Sequence, residues 1–225
     1  MKIIDAHSHI DSITHDFQDD VVGTVCCATK ESDWDVLVEQ MHKDKNIYGA
    51  FGIHPWFIDS VQAGFDKRLE DLLKTNSKYM VGEIGLDKYK PDMEKQIDVF
   101  QKQFDIAIRL HLTVFLHCVG AWDKILHVLK QYKQSDLPII VLHDFKANEK
   151  ITEKLLQYKN IFFSLGKNVV YDRFCRIDKI PNDRILVETD GDKNIILKNI
   201  VDKISKNESV IYNNTLKVLN DEQVA

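Results

Sequence analysis

The chain has 225 residues, of which 44% are hydrophobic and 29% charged, and its formal net charge is −5. This length and composition indicate a globular protein, and α/β barrels start at about 200 residues. The negative charge excludes a protein that coats duplex nucleic acid with a basic face, but not an enzyme that grips a few phosphates. No apolar run approaches the roughly 20 residues of a membrane span, and no signal-peptide pattern is visible, so we expect a cytoplasmic protein.

Short apolar runs alternate with amphipathic segments along the whole chain. The apolar runs predict strands at residues 2–9, 21–28, 48–53, 79–84, 113–116, 138–142, 161–165 and 184–188. The amphipathic segments predict helices at residues 32–44, 65–74, 92–110, 121–132, 149–158, 195–204 and 210–219. Eight apolar strands separated by helices predict parallel strands in a TIM-type (β/α)8 barrel, as a single domain over residues 1–225. A doubly wound open sheet is the alternative.

Several predicted strands deliver a histidine or a carboxylate at their C-terminal ends. The segment Lys2-Ile-Ile-Asp-Ala-His-Ser-His9 delivers two imidazoles, two residues apart and therefore on one face of the strand. The side chains with this placement are His7, His9, Glu83, His117, His143 and Asp190. An open sheet cannot bring its first, middle and last strands to one point, whereas a closed barrel can. The pattern therefore favours a barrel with a metal site at its C-terminal rim.

These ligands predict a centre with two divalent metal ions. In a closed barrel the ligands of the first and last strands cluster, those of the fifth and sixth strands cluster opposite them, and Glu83 lies between. A bridging carboxylate would hold two cations about 3.5–4 Å apart, with Zn, Mn or Mg as candidates. An activated hydroxide would then attack phosphorus or a carbonyl carbon, with Asp190 and Glu83 as the catalytic carboxylates and Asp190 moving the proton.

Two further residues leave alternatives open. Asp5 shares the strand parity of His7 and His9, so it is either a partner for an imidazole N–H or a buried, hydrogen-bonded residue. Trp56, close to His54, either stacks on a nucleobase or packs at the rim.

The motifs resemble those of the TatD-type metal-dependent deoxyribonucleases, which are barrel hydrolases. They are Ile4-Asp-Ala-His-Ser-His9, Gly52-Ile-His-Pro55, Val81-Gly-Glu-Ile-Gly-Leu-Asp87, Leu116-His117, His143-Asp-Phe145, Glu188-Thr-Asp190 and Asn213-Asn-Thr-Leu216. The resemblance implies one metal on His7, His9, Glu83 and Asp190, and another on Glu83, His117 and His143. It implies phosphodiester hydrolysis, often from a 3′ end, with His54 near the substrate phosphate. We assign Asp87 and Trp56 to the same substrate-binding set.

The chain departs from the family pattern at two positions beside the ligands. The family usually carries an Arg two residues after the histidine at position 117, where this chain has Val119. It usually has Pro two residues after the aspartate at position 190, where this chain has Asp192. Losing an Arg removes a planar phosphate-binding group, and an added carboxylate repels phosphate. Compensating lysines would be Lys88, Lys146 or Lys193.

The sequence therefore predicts a hydrolase acting on ester bonds, with single-stranded DNA, 3′ ends or a small phosphoester as substrate. We expect a monomer or weak oligomer without membrane association. A two-metal hydrolase of an ester, amide or aminoacyl-tRNA bond is the first alternative. A non-catalytic metal-binding barrel is the second.

Overall fold

A barrel of parallel strands forms the centre of the molecule. The computed structural model describes residues 2–12, 20–171, 177–204 and 206–220. The strands are β1 (Ile3–His9), β2 (Val21–Cys27), β3 (Ile47–Phe51), β4 (Met80–Asp87), β5 (Val114–Val119), β6 (Ile140–Leu142), β7 (Ile161–Leu165) and β8 (Ile185–Val187). They lie in chain order and each pairs in parallel with the next. The predicted TIM-type barrel is confirmed.

Hydrogen bonds after β8 close the barrel onto β1. The backbone N–H of Asp190 donates to the carbonyl of His7 at 3.0 Å. Asp5 accepts from the backbone N–H of Thr189 at 3.0 Å, from its hydroxyl at 2.6 Å, and from the backbone of His7 at 3.2 Å. Burial raises the pKa of Asp5 to about 7, against the opposing effect of these hydrogen bonds. The structure therefore supports the second interpretation of Asp5, that it is a buried, hydrogen-bonded residue.

Helices cover the outside of the barrel. They are α1 (Trp34–Lys43), α2 (Phe65–Leu73), α3 (Met93–Leu110), α4 (Trp122–Leu129), α5 (Glu149–Leu156), α6 (Lys167–Val170), α7 (Leu197–Ile204) and α8 (Glu208–Val218). The sequence does not predict α6, because four residues are too few to show a helical period. The helix expected from Ile195 begins two residues later, after a turn in which Asp192 accepts from the backbone and side chain of Asn194. Across the described ranges, no helix combines the length and hydropathy that a membrane span requires.

The hydrophobic core has two layers. The larger layer lies between strands and helices and includes Leu37, Phe104 and Ile125. The smaller layer fills the barrel interior with residues such as Ile4, Val25, Phe115 and Leu186, together with Val218 and Leu219 from the end of α8. The hydroxyl of Thr113, just before β5, donates to the carbonyl of Val218 at 2.8 Å. The residues around the end of α8 therefore cover the N-terminal end of the barrel.

An irregularity in β1 turns His7 into the barrel. Asp5 pairs with Thr24 and Ser8 with Cys26, so three steps along β1 match two along β2. Such a bulge re-aims side chains. Ala6 belongs to the interior layer, yet the His7 ring also turns inward, 6.4 Å from the Phe115 ring. Simple alternation, which gave Asp5 and His7 the same direction, does not hold across this bulge.

Candidate metal centre

Four potential ligand atoms converge from the C-terminal half of β1, the middle of β4 and the segment after β8. The Nε2 atoms of His7 and His9 lie 3.4 Å apart. Oε2 of Glu83 lies 3.3 Å from the first of these nitrogens and 3.6 Å from the second. Oδ1 of Asp190 lies 3.9 Å and 3.3 Å from the same two atoms. We call these four residues the first cluster.

The second oxygen of Glu83 belongs to another group of acceptors. Its Oε1 atom lies 2.9 Å from Nδ1 of His117 and 2.9 Å from Nε2 of His143. These two nitrogens are 3.1 Å apart. We call Glu83, His117 and His143 the second cluster. The Glu83 carboxylate therefore contributes one oxygen to each cluster.

The size and chemistry of both clusters fit divalent cations. A tetrahedral site with metal–ligand distances of about 2.0–2.1 Å has ligands about 3.3–3.4 Å apart. The first cluster, with separations of 3.3–3.9 Å, is close to this value, and the second is slightly tighter. Imidazole nitrogen and carboxylate oxygen suit Zn or Mn and, less well, Mg. The residues present can thus hold a cation in each cluster.

Hydrogen bonds set which ring nitrogen faces the clusters. Nδ1 of His9 lies 3.3 Å from the carbonyl oxygen of Cys27, which can only accept, so this nitrogen carries the proton. Nδ1 of His143 lies 3.2 Å from Oε1 of Glu188 and is held in the same way. In the neutral form of both rings Nε2 is therefore the unprotonated nitrogen, and it points into a cluster, as metal-ligating histidines require.

The charges around Glu83 favour a cation. Burial alone would raise the pKa of Glu83, but the nearby charges of His143, His54 and His7 outweigh it and hold that pKa well below its usual range. Burial opposes the charged form of His143, yet Glu83 and Glu188 together raise its pKa well above the usual value. The negative charge of Glu83 and Glu188 that favours a proton on His143 would equally attract a divalent cation, which would take the place of that proton on Nε2.

His54 differs from the other histidines in its tautomer. Its Nδ1 atom accepts from the backbone N–H of Trp56 at 3.1 Å, so in the neutral ring the proton is on Nε2. Nε2 lies 3.2 Å from Oε1 of Glu83. Burial lowers the pKa of His54 and favours the neutral ring, although Glu83 opposes this. His54 therefore presents an N–H donor beside the second cluster.

Lys167, at the start of α6, holds the remaining oxygen of Asp190. Its Nζ atom lies 2.5 Å from Oδ2 of Asp190 and 3.8 Å from Oδ2 of Asp144. Burial opposes the charge on Asp190, but His9 and other cations lower its pKa, and Lys167 contributes to this effect. The carboxylate therefore stays ionised, with one oxygen toward the first cluster and one on the ammonium group.

The clusters form the floor of a cavity of about 610 Å³. The carboxylates that line it are Asp11, Asp33, Glu83, Asp144 and Asp190, and the lysines, among the residues that the structure describes, are Lys30 and Lys167. None of the three lysines expected to compensate for the missing Arg lines this cavity. Val119 does line it and is 37% exposed, so the loss of the Arg falls on the cavity itself. Asp192, expected to repel phosphate, is not part of the lining.

The two remaining substrate residues take different positions. Trp56 lines the cavity and is 54% exposed. Asp87 is buried and accepts from the indole N–H of Trp56 at 2.7 Å, so it supports the ring from below. Asp87 therefore anchors Trp56, and its place in the substrate-binding set stays a prediction.

The sequence reasoning missed Glu188 and Lys167. Glu188 is fully buried in the Glu-Thr-Asp motif, and its position two residues before Asp190, at the end of β8, is the signal that marked the other ligands. Lys167 also lies close to the C-terminal end of a strand, directly after Gly166. The sequence gives no signal for it, because the helix that begins there, α6, is too short to show a periodic pattern.

Gly85 permits the close approach of β4 and β5 beside the second cluster. Gly85 pairs with His117 across the two strands. A Cβ atom at this position would lie 1.9 Å from the carbonyl oxygen of His117, well inside van der Waals contact. Only glycine lets the two strands meet at this distance, so it fixes the position of a candidate ligand.

Comparisons with known proteins agree with this geometry. A family model described as TatD related DNase matches residues 4–219. The human 3'-5' RNA nuclease TATDN2 is 29% identical over 165 residues, which cover 70% of this chain and 22% of that protein. The 3'-5' ssDNA/RNA exonuclease TatD of Erwinia tasmaniensis is 28% identical over 168 residues, covering 72% and 64%. The matches thus span less than two thirds of both relatives.

A solved structure supports the fold independently. The TatD homologue YjjV from Escherichia coli superposes with a TM-score of 0.83 at 23% identity, covering 97% of this chain and 98% of that one. The family model extends over nearly the whole chain, from the second residue of β1 to the residue after α8. The chain therefore belongs to the TatD-related DNase family of metal-dependent hydrolases.

Proposed function

We propose that this protein is a phosphodiesterase that cleaves single-stranded nucleic acid at a centre of two divalent cations. The observation that carries this proposal is the Glu83 carboxylate, which places one oxygen in each of two clusters of imidazole nitrogens and carboxylate oxygens. His7, His9 and Asp190 would complete the first site, and His117 and His143 the second. The names of the two curated relatives, an RNA nuclease and an ssDNA/RNA exonuclease, support nucleic acid as the substrate class.

Three polar side chains beside the clusters have separate tasks in the proposed reaction. When bound, two divalent cations supply Lewis-acid stabilisation of the charge that develops on phosphate oxygens, and they acidify water. Asp190, kept ionised by its neighbours, orients the attacking water and takes up its proton. His54 donates from Nε2 to a phosphate oxygen. Lys167 fixes the Asp190 carboxylate and adds positive charge to the cavity wall.

The charge of the cavity explains why binding should depend on the metal. Of the residues that the structure describes, five carboxylates and two lysines line it, so with neutral histidines these side chains carry a net negative charge that repels phosphate. Two divalent cations would add four positive charges and reverse this sign. The protein therefore does not need a basic surface, which agrees with its net charge of −5.

A carbonyl substrate is the second candidate. The side of the cavity formed after β1 and β2 carries Asp11 and Asp33, and the phosphate-binding Arg is replaced by Val119. Carboxylates on a cavity wall suit a substrate with an ammonium group, such as an aminoacyl ester, better than a polyanion. The same two-metal chemistry serves a carbonyl carbon.

The test combines metal analysis with a substrate comparison. Purified protein is loaded with Zn, Mn or Mg, its metal content is measured by elemental analysis, and nucleotide release from single-stranded DNA and RNA is followed. We expect about two metals per chain and metal-dependent release. In Asp190→Ala the metal content should fall, because a ligand of the first cluster is missing, and release should be lost. Asp71→Ala, the same change at an exposed aspartate of α2 outside the cavity, is the control and should behave as wild type.

Three results would change the assignment. Folded, metal-loaded protein that releases no nucleotide with any cation would refute the nuclease. Hydrolysis of aminoacyl or other carboxylic esters without nuclease activity would move the carbonyl reaction to first place. Protein that binds no metal after reconstitution would favour a barrel without catalytic activity.

A further inference from the structure

An exposed tryptophan that lines the cavity and an exposed tyrosine just after β4 share one buried hydrogen-bond partner, Asp87. Trp56 is 54% exposed and Tyr89 is 75% exposed. Lys88 and Lys90 flank Tyr89 in the sequence, directly after β4. We call Trp56, Lys88, Tyr89 and Lys90 the rim patch. Exposed rings of this size are a large apolar area that a ligand can cover.

A buried carboxylate holds the rim patch in place. Asp87 accepts from the indole N–H of Trp56 at 2.7 Å through Oδ2 and from the backbone N–H of Tyr89 at 2.9 Å through Oδ1. Gln96 braces Asp87 in turn, accepting from its backbone N–H at 2.9 Å and donating to its carbonyl at 3.1 Å. A ligand would therefore meet an ordered indole ring and pay little entropy to bind it.

Each ring carries a lysine ammonium group beside it. Nζ of Lys90 lies 4.0 Å from the centre of the Trp56 ring, and Nζ of Lys88 lies 5.0 Å from that of Tyr89. The patch therefore repeats an aromatic ring paired with a cation. A nucleotide offers the complementary pair, a base with a π face and a phosphate, and single-stranded nucleic acid repeats it.

The rim patch is continuous with the metal centre. Trp56 lines the cavity, and its backbone N–H holds the His54 ring. Oδ2 of Asp87 lies 3.9 Å from Nε2 of His117 in the second cluster. A nucleotide next to a phosphate on the cavity floor would therefore place its base within reach of the Trp56 ring.

From this arrangement we infer that the rim patch is a subsite for nucleotides beside the scissile phosphate, and that it selects single-stranded polynucleotide over small phosphodiesters. Trp56 and Tyr89 stack on bases, while Lys88 and Lys90 leave the rings to pair with phosphates. The inference rests on the proposed function, because it concerns the substrate of that same centre.

The experiment compares a polymer with a small substrate in metal-loaded protein. The variants are Tyr89→Ala, Trp56→Ala, Trp56→Phe and the double variant Lys88→Gln/Lys90→Gln. The substrates are a single-stranded DNA oligonucleotide and bis(p-nitrophenyl) phosphate, and oligonucleotide binding is also followed by fluorescence anisotropy. A double variant of exposed lysines on or beside α4, Lys124→Gln/Lys130→Gln, has the same charge change and is the control.

The inference predicts a loss for the oligonucleotide alone. Each alanine variant should raise its KM and Kd by roughly 5- to 150-fold, the range for losing one base–aromatic stack, with the small phosphodiester unaffected. Trp56→Phe, which keeps a ring, should lose less than Trp56→Ala. The double lysine variant should reduce the slope of log Kd against log salt by about 1.4, or about 0.7 for each phosphate. The control should keep the wild-type slope.

The results that would contradict the nucleotide subsite differ from those that would contradict the proposed phosphodiesterase. Unchanged oligonucleotide KM and Kd in both alanine variants would overturn the subsite. So would equal losses on both substrates, since these would reflect damage to the metal centre. If wild type cleaves neither substrate, the proposed function fails, and anisotropy still decides the subsite: variants that bind as tightly as wild type overturn it.

Discussion

Glu188→Gln tests whether a buried carboxylate prepares His143 for metal binding. Glu188 is fully buried, and its Oε1 atom accepts from Nδ1 of His143 at 3.2 Å and from the backbone N–H of Asp144 at 2.6 Å. Glutamine keeps the shape of the side chain and removes its charge. The variant should therefore retain the fold and weaken the hold on the imidazole ring.

The expected size follows from these two hydrogen bonds. Bonds to a charged group contribute about 1.5–3 kcal/mol and neutral ones about 0.5–1.5 kcal/mol, so each bond should lose about 1 kcal/mol. The bond to His143 is one of these two, so its loss of about 1 kcal/mol corresponds to roughly fivefold weaker cation binding in the second cluster. The partners of metal ligands typically account for about 10- to 100-fold in metal affinity, so this expected loss is just below the low end of that range. Folding stability should change less, because the variant also removes the desolvation cost of a buried charge.

The assay is a competition titration of Zn or Mn between the protein and a coloured chelator, with denaturant unfolding of metal-free protein alongside. Glu153→Gln, an exposed glutamate on α5, is the matched control and should titrate as wild type. An unchanged dissociation constant in Glu188→Gln would refute the reasoning. Equal weakening of both sites would also count against it, since Glu188 contacts a ligand of the second cluster alone.

Three further outcomes are expected. Glu83→Ala should lower the metal content of both sites and His143→Ala that of one, so elemental analysis that gives equal stoichiometry would contradict a shared carboxylate. Gly85→Ala should destabilise the fold by about 1–3 kcal/mol or more in urea, because its Cβ would meet a backbone carbonyl at 1.9 Å; an unchanged midpoint would count against that close approach. Thr189→Val leaves Asp5 without its 2.6 Å hydroxyl partner and should cost about 1–3 kcal/mol in the same assay, and wild-type stability would show that this contact does not close the barrel.

The strand and helix pattern of this chain is local information. In a sequence, buried parallel strands appear as apolar runs, and amphipathic helices show apolar residues with a period of about 3.6. Most elements therefore lie near their predicted positions. The C-terminal ends of parallel strands meet on one rim, and this places His7, Glu83, His117 and Asp190 together without any knowledge of the contacts. The two missed features beside the site, α6 and the β1 bulge, lack a periodic signal, because one has four residues and the other breaks the alternation.

The sequence by itself determined the barrel and the types of metal-binding side chain, since both depend on residue order along single strands. Tertiary structure alone decided which nitrogen each imidazole turns inward, and that Glu188 and Lys167 support His143 and Asp190. Those choices depend on hydrogen bonds between distant parts of the chain; the closing contact of Asp5, for example, spans 184 residues. Such a contact exists only once the last strand meets the first, so no local pattern can carry it.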